Sequence, residues 1–167
     1  SINVTADSDS NGTGAIIDNT AAENANLVTS TTATLRAAQG IGSGNALETG
    51  INALIATNTT TGNIQITELN GLGIIGSGVL NQGTGGGIAI DVLAGNLAIN
   101  GNVTAFDGNV VTTEAISLTT QAGSISIGNN VLISTDDDPA ASTPAISHSD
   151  AASLDSLMIR AGATGNQ

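Results

Sequence analysis

The chain has 167 residues, of which 40% are hydrophobic and only 1% are aromatic. Two arginines oppose fourteen Asp and Glu residues, lysine is absent, and the formal net charge is −12. Nucleic-acid binding and docking onto anionic lipid need several cationic side chains on one face, so we expect neither partner. No apolar segment is long enough for membrane insertion. Cysteine is absent, which excludes a disulfide framework and thiolate zinc sites.

The N-terminal segment Ile2–Thr5 alternates apolar and polar side chains, which predicts a strand. Directly after it, Asp7, Asp9 and Asn11 precede a glycine, and Asp18 falls at the twelfth position from Asp7. Alternating oxygen ligands followed by a glycine are typical of a calcium-binding loop. The same residues are also ordinary turn formers, so the sequence leaves two possibilities: a calcium site or no cofactor.

Further along the chain, short segments of the form apolar-x-apolar recur. They are Leu35–Ala37, Ile64–Ile66 and Leu72–Ile74, and Val79 follows at a similar spacing. This alternation places one side chain inward and the next outward, as in a half-buried strand. We expect Leu35–Ala37 to be the first strand of a repeating unit.

An internal repeat is clearest in the second half of the chain. Three short strand-like segments recur 28 residues later, without a gap: 88–90, 95–99 and 102–105 return as 116–118, 123–127 and 130–133. Six positions are identical between the two copies: Ile88 and Ile116, Ala94 and Ala122, Gly95 and Gly123, Ile99 and Ile127, Asn102 and Asn130, Val103 and Val131. A three-residue strand cannot bury itself, but stacked units would form continuous ladders.

The repeat is interrupted by an acidic segment. Asp136, Asp137 and Asp138 begin a loop insertion that runs to about Ser153. Insertions on one side of a solenoid often form its binding face, although a solvated loop without a partner is the alternative. After the insertion, 157–161 has the form of another first strand.

Together these elements predict an all-β fold, a right-handed parallel β-helix with about six coils of three short strands. A single domain would then cover residues 1–167, with the acidic loop at about 136–153. An antiparallel β-sandwich also has short alternating strands and is the alternative architecture. Recurrence of the same three-strand unit favours the β-helix.

Four segments carry a family resemblance: 33–43, 47–49, 54–56 and 62–72. Their loose Gly-, Asn- and Thr-rich pattern resembles the repeat shaft of filamentous-haemagglutinin-like exoproteins. The resemblance implies a bacterial protein, extracellular or at the cell surface, that acts in attachment and is often exported by two-partner secretion. It also implies host or cell-surface glycans or proteins as partners. No counterpart of that family's N-terminal secretion motif is visible, which favours the shaft region.

Two structural functions are therefore expected, with a calcium-binding extracellular module as a third. The first is the rigid shaft of an adhesive surface protein, flanked by neighbouring repeats of a longer chain. The second is a subunit that assembles with other copies into a filament or surface layer. It would use strand edges at the two ends, around Ile2, Val4, Leu157 and Ile159. We expect no catalysis, because the chain has almost no basic or aromatic residues that could hold a sugar substrate.

Overall fold

The computed structural model describes residues 1–20, 24–108, 114–135, 146–147 and 156–161. Every regular element in these ranges is a β-strand. None of the described residues forms a helix of the length and hydropathy that a membrane span requires. The strands are β1 Ile2–Thr5, β2 Leu27–Ala37, β3 Leu47–Asn58, β4 Ile64–Glu68, β5 Leu72–Asn81, β6 Ile88–Val92, β7 Leu97–Ile99, β8 Val103–Ala105, β9 Ala115–Thr120, β10 Ile125–Ile127, β11 Ile133–Ser134, β12 Ile146–Ser147 and β13 Ser156–Arg160.

The strands stack in three columns, and each strand pairs with the equivalent strand one turn away. The first column runs from the start of β3 through β4, β6 and β9 to β13. The second contains the middle of β2 and of β3, the start of β5, then β7 and β10. The third runs from β1 through the ends of β2, β3 and β5 to β8, β11 and β12. Every pairing among the described strands is parallel, which excludes the antiparallel sandwich.

The register confirms the predicted stacking of the two repeat copies. Ile88 lies beside Ile116 in the first column, and Leu97 lies beside Ile125 in the second. The upstream segment at Ile64 joins the same first column, since it pairs with Ile88. The fold is therefore a parallel β-solenoid, as the sequence predicts.

The number of coils is smaller than predicted, at about four turns instead of about six. Complete turns with strands in all three columns cover 41–58, 64–81, 88–105 and 116–134. The terminal segments supply only part of a turn, because β1 pairs along the second and third columns and β13 along the first. Segments near the termini thus resemble a strand of the repeat without completing a coil.

The predicted column of Leu35–Ala37 is also wrong. Leu35 pairs with Val4 on one side and with Ala56 on the other, which places it in the third column and not the first. In this turn the first column is occupied by Ile16, which bridges to Ile41. The apolar-x-apolar pattern is common to all three columns, so the pattern alone does not assign a column.

The core lies inside the stack and is built from aliphatic side chains. Alternation along β4 and β6 turns every second side chain inward, and the same positions in the next turn extend each ladder. Full burial of one such side chain contributes roughly 1.5–3 kcal/mol. The largest buried side chains are Leu35, Ile41, Ile51, Leu54, Ile64, Ile66, Ile74, Ile88, Ile90, Leu97, Ile99 and Ile116.

Most of the predicted acidic loop at 136–153 lies outside the described residues. Ile146 and Ser147 are described, and they form β12, which pairs in parallel with β11 and extends the third column. The third column thus contains seven strands, from β1 to β12. Six steps of about 4.8 Å give a stack roughly 29 Å tall.

Candidate functional site

The N-terminal end of the stack, defined here as β1, Ile16 and the start of β2, exposes part of the core. Ile2 and Val4 lie in β1, which pairs with β2 on one side. Among the described strands no other strand pairs with β1. Val4, Ile16 and Leu27 pack against the core but are only partly buried.

The C-terminal end of the stack, defined here as β10 and β13, has the same character. Leu157 and Ile159 pair with Ile116 and Leu118 of β9, and β13 has no other partner among the described strands. Strand β10 pairs with β7 alone in the same part of the chain. Beneath β10 lies a hollow of about 350 Å³, lined by Ile125, Ile127, Ile159, Arg160 and Ala161.

The large apolar side chains that are well exposed also lie at these two ends. Ile17 and Val28 are 65% and 66% exposed at the N-terminal end. Ile127 and Met158 are 40% and 49% exposed at the C-terminal end. These side chains lie in the outermost turns that the structure describes, so we take the two ends as the main candidate site among the described residues.

The predicted calcium loop forms hydrogen bonds within itself. The Asn11 amide donates to Asp9 Oδ2 at 2.7 Å, and Asn11 Oδ1 accepts from the Thr13 amide at 2.9 Å. Asp18 Oδ1 accepts from the backbone amide of Thr20 at 2.9 Å and from its hydroxyl at 2.8 Å. These bonds from Thr20 are the main reason that the pKa of Asp18 lies below its ordinary value.

Asp7 is more buried than the other residues of the loop. Its side chain is 4% exposed, and its Oδ1 is buried without a hydrogen-bond partner. Asp18 Oδ2 instead accepts from the Asn45 amide at 3.0 Å. Across the ranges that the structure describes, no three His, Cys, Asp or Glu side chains are grouped so that they could hold a metal ion. Calcium binding by Asp7, Asp9, Asn11 and Asp18 stays a prediction.

A pair of buried asparagines lies at the corner where the third column ends. Asn58 and Asn81 are fully buried and adjacent in one ladder, with Ala37 above and Ala105 below. Asn58 Nδ2 donates to Asn81 Oδ1 at 2.9 Å. The two side chains therefore connect successive turns inside the stack.

Both asparagines also bind the backbone of the turns that follow them. Asn58 accepts from the Gly40 amide and donates to the Thr61 and Gly62 carbonyls. Asn81 accepts from the Gly83 amide at 2.9 Å and donates to the Gly62 and Gly87 carbonyls at 3.1 and 2.9 Å. These bonds give the Gly40 and Gly83 amides and the Thr61 and Gly62 carbonyls side-chain partners at the corner, and they give the Gly87 carbonyl a second donor.

A buried carboxylate performs a similar role at the corner where the first column ends. Glu68 is fully buried and accepts from the Thr49 hydroxyl at 2.7 Å, from the Ile51 amide at 3.1 Å and from the Asn70 amide at 3.0 Å. Burial raises the pKa of Glu68 above its ordinary value, although these donors oppose the shift. The carboxylate closes the corner of two adjacent turns.

The outer face of the first column carries a shallow groove. Two adjoining hollows of about 190 and 150 Å³ share Gln65, Ala89 and Ser117. The carboxylate in the groove, Asp91, accepts from the Thr119 hydroxyl and from the Gln121 amide. Its oxygens are therefore engaged within the protein.

No protein-family model matches the sequence. Searches of curated proteins and of solved structures found no significant match either. The resemblance to filamentous-haemagglutinin-like exoproteins is thus carried by the sequence pattern alone. Asp136, Asp137 and Asp138, predicted as a binding segment, lie outside the described residues.

Sequence reasoning predicted Ile2, Val4, Leu157 and Ile159 as assembly ends, which stays a prediction. It missed Asn58, Asn81 and Glu68. The sequence does contain a signal for the asparagine pair. Each asparagine comes two residues after an inward position, Ala56 or Val79, and each is followed within a few residues by glycine. An asparagine at an inward position must find partners, and glycine-rich turns expose the backbone groups that can supply them.

Proposed function

We propose that this chain is a structural segment of a bacterial β-solenoid protein at the cell surface or outside the cell. It would serve as part of a rigid shaft that holds an adhesive region away from the surface. Its partners would be neighbouring solenoid rungs, while host or cell-surface glycans or proteins would bind to the adhesive region. No reaction is assigned to the chain.

The observation that carries this proposal is the continuity of the third column. Strands are paired in parallel from β1 to β12, and the ladder passes through Val4, Leu35, Ala56, Val79 and Val103. A rigid shaft needs many equivalent inter-strand contacts along one axis, because all of these contacts together resist bending of the stack. The resemblance to exoprotein shafts supports the location and the adhesive role.

The corner networks of Asn58, Asn81 and Glu68 support the same role. Each lies between two turns, and each joins backbone or side-chain groups of one turn to those of the next. Such bonds hold neighbouring turns at a fixed rotation, since a relative slip would leave buried polar groups without partners. They favour a stiff stack over a string of loosely joined turns.

A deletion of one complete coil tests the proposal. Residues 88–115 start at Ile88 and end just before Ile116, which is its partner in the first column. Their removal joins Gly87 to Ile116 and lets Ile64 stack on Ile116 in the same register. We expect a folded, cooperatively unfolding protein that is shorter by about 4.8 Å, since a shaft depends on repeated contacts and not on one unique turn.

A half-coil deletion is the matched control. Removal of 88–101 takes out β6 and β7 but keeps β8, so the first two columns lose a strand while the third does not. We expect this variant to lose its cooperative transition. Circular dichroism and small-angle X-ray scattering measure both results. If the complete-coil deletion unfolds as readily as the half-coil deletion, the turns are not interchangeable and the shaft proposal is wrong.

A further inference from the structure

We infer that Asn11 is a site of self-modification, at which the backbone nitrogen of Gly12 attacks the Asn11 side-chain amide and converts this residue to aspartate and isoaspartate. The reaction needs water as its only co-reactant and releases ammonia. It takes place in the loop between β1 and Ile16, and it is independent of the shaft role proposed above.

The chain contains three Asn-Gly pairs, in which this reaction meets the least steric hindrance. They are Asn11-Gly12, Asn70-Gly71 and Asn100-Gly101. Glycine has no Cβ, so no side chain shields the nitrogen that must approach the asparagine Cγ. Because the three pairs share this local sequence, any difference in their reactivity comes from the structure around them.

The second and third pairs lie in tight corners of the stack. The Asn70 amide donates to Glu68 Oε1 at 3.0 Å, and the Asn100 amide donates to the Ile74 carbonyl at 2.8 Å. Gly101 is buried against the neighbouring turn. Ring closure rotates the backbone between the asparagine and the glycine, so at both corners it would disturb these bonds. We therefore expect the folded stack to protect both pairs.

The Asn11-Gly12 pair lies in a loop with fewer constraints. No backbone hydrogen bond joins residues 8–13 to a strand or to another turn of the described structure. Asn11 is exposed, and a Cβ at Gly12 would have the Thr60 hydroxyl, at 3.6 Å, as its nearest neighbour. The backbone of this loop can therefore rotate without the loss of a ladder bond.

The groups around the Asn11 side chain suit the two ends of a reacting amide. Oδ1 accepts from the Thr13 backbone amide at 2.9 Å and also from the Thr13 hydroxyl. These two donors face the oxygen that becomes negatively charged when a nucleophile adds to Cγ. The bond from the Thr13 amide also closes an Asx turn, which folds the side chain back over the Gly12 peptide. At the other end of the amide, Nδ2 donates to Asp9 Oδ2 at 2.7 Å.

The loop and water together account for every bond that changes. The Gly12 nitrogen forms a bond to Asn11 Cγ and loses its proton to water, while the Thr13 donors stabilise the oxyanion. The Cγ–Nδ2 bond then breaks, and Asp9 relays a proton from water to the leaving nitrogen, which departs as ammonia. Water opens the resulting five-membered imide at either carbonyl and leaves aspartate or isoaspartate. The product places a second carboxylate beside Asp9 in place of the amide that binds it.

Site-resolved mass spectrometry of folded protein and of protein unfolded in urea tests the inference. Each conversion adds about 1 Da, and electron-transfer fragmentation separates aspartate from isoaspartate. We expect Asn11 to react about tenfold faster in the folded protein than in urea, because the donors are already in place. Asn70 and Asn100 should instead react more slowly when folded. These opposite shifts separate the effect of the structure from that of the shared local sequence.

Two variants test the chemistry of the loop. Thr13→Val removes the hydroxyl donor, keeps the backbone amide and should slow the conversion of Asn11 by about tenfold. Ser8→Ala is the control, since Ser8 is exposed in the same loop, and this variant should react like wild type. Circular dichroism melting checks that both variants are folded. The inference is overturned by an unchanged rate in Thr13→Val, or by an Asn11 that reacts no faster in folded protein than in urea. Neither result affects the shaft proposal, which the coil deletion tests separately.

Discussion

Replacement of Asn81 by alanine should remove a large share of the stability of the stack. The side chain is fully buried and makes four hydrogen bonds, to the Gly62 and Gly87 carbonyls, the Gly83 amide and Asn58 Nδ2. Alanine fits the local backbone, because Ala105 occupies the next position of the same ladder. The substitution therefore tests the hydrogen bonds more than the shape of the corner.

The magnitude follows from what each partner retains. The Gly87 carbonyl still accepts from the Ile64 amide, and the Gly62 carbonyl still accepts from Asn58 Nδ2. The Gly83 amide loses the acceptor that Asn81 provides. With about 0.5–1 kcal/mol for each of three bonds and about 1–3 kcal/mol for the orphaned amide, the expected loss is roughly 2.5–6 kcal/mol. For a domain of this size that corresponds to a decrease in Tm of about 10 °C.

Urea unfolding followed by far-UV circular dichroism is the suitable assay, because the chain contains neither Trp nor Tyr for fluorescence. Asn100→Ala, at an exposed position, is the control and should change stability by less than about 0.5 kcal/mol. A double-mutant cycle with Asn58→Ala should show that the two losses are not additive, because the side chains share one direct bond and both donate to the Gly62 carbonyl. A loss below about 1 kcal/mol for Asn81→Ala would refute the reasoning, since the corner would then be stable without the asparagine.

Three further predictions concern pH, backbone geometry and calcium. The pKa of Glu68 is raised by burial, so its stabilising contribution is complete below pH 4.5 and is lost as pH rises through the raised pKa. The stability of Glu68→Gln relative to wild type should therefore increase with pH in urea titrations, and a constant difference would contradict this account. Gly78→Ala should prevent folding or destabilise by at least about 4 kcal/mol, because φ is +80° and a Cβ would lie 1.9 Å from the Asn102 carbonyl oxygen. Gly85→Ala, at φ +61° with no atom within 4 Å, should cost only about 1–2 kcal/mol, and equal losses for the two would exclude the close approach as the cause. The calcium hypothesis predicts a Tm increase on adding calcium that disappears in Asp9→Ala, and an unchanged wild-type Tm would remove it.

The stacked fold was predictable because its signal is local and repeated. Apolar-x-apolar segments at equivalent spacing give both the strand alternation and the partner of each strand, as Ile88 and Ile116 illustrate. The column of a segment was less predictable, because Leu35–Ala37 has the same pattern as a first-column strand. The turn count was overestimated for the same reason, since an isolated strand near a terminus resembles a full coil.

The corner networks were harder to predict from the sequence than the stacked strands. Glu68 stands at an inward position beside Thr49 and Val92, and its burial depends on backbone amides that only the closed corner brings together. An isolated glutamate at the end of a strand is otherwise typical of a solvent-facing position. The hollow beneath β10 could not be predicted, because its lining comes from two segments that are far apart in sequence, 125–127 and 159–161.

The pairing of Arg36 in the third column protects the chain from cleavage at this residue. Trypsin-like proteases cleave after lysine or arginine, and this chain offers them only Arg36 and Arg160. The backbone at Arg36 is paired with Thr5 on one side and Thr57 on the other. A protease that must bind its substrate as an extended, accessible strand cannot engage this bond until neighbouring rungs separate. Digestion at Arg36 will therefore report the opening of the stack itself, so limited proteolysis measures the separation of these rungs directly.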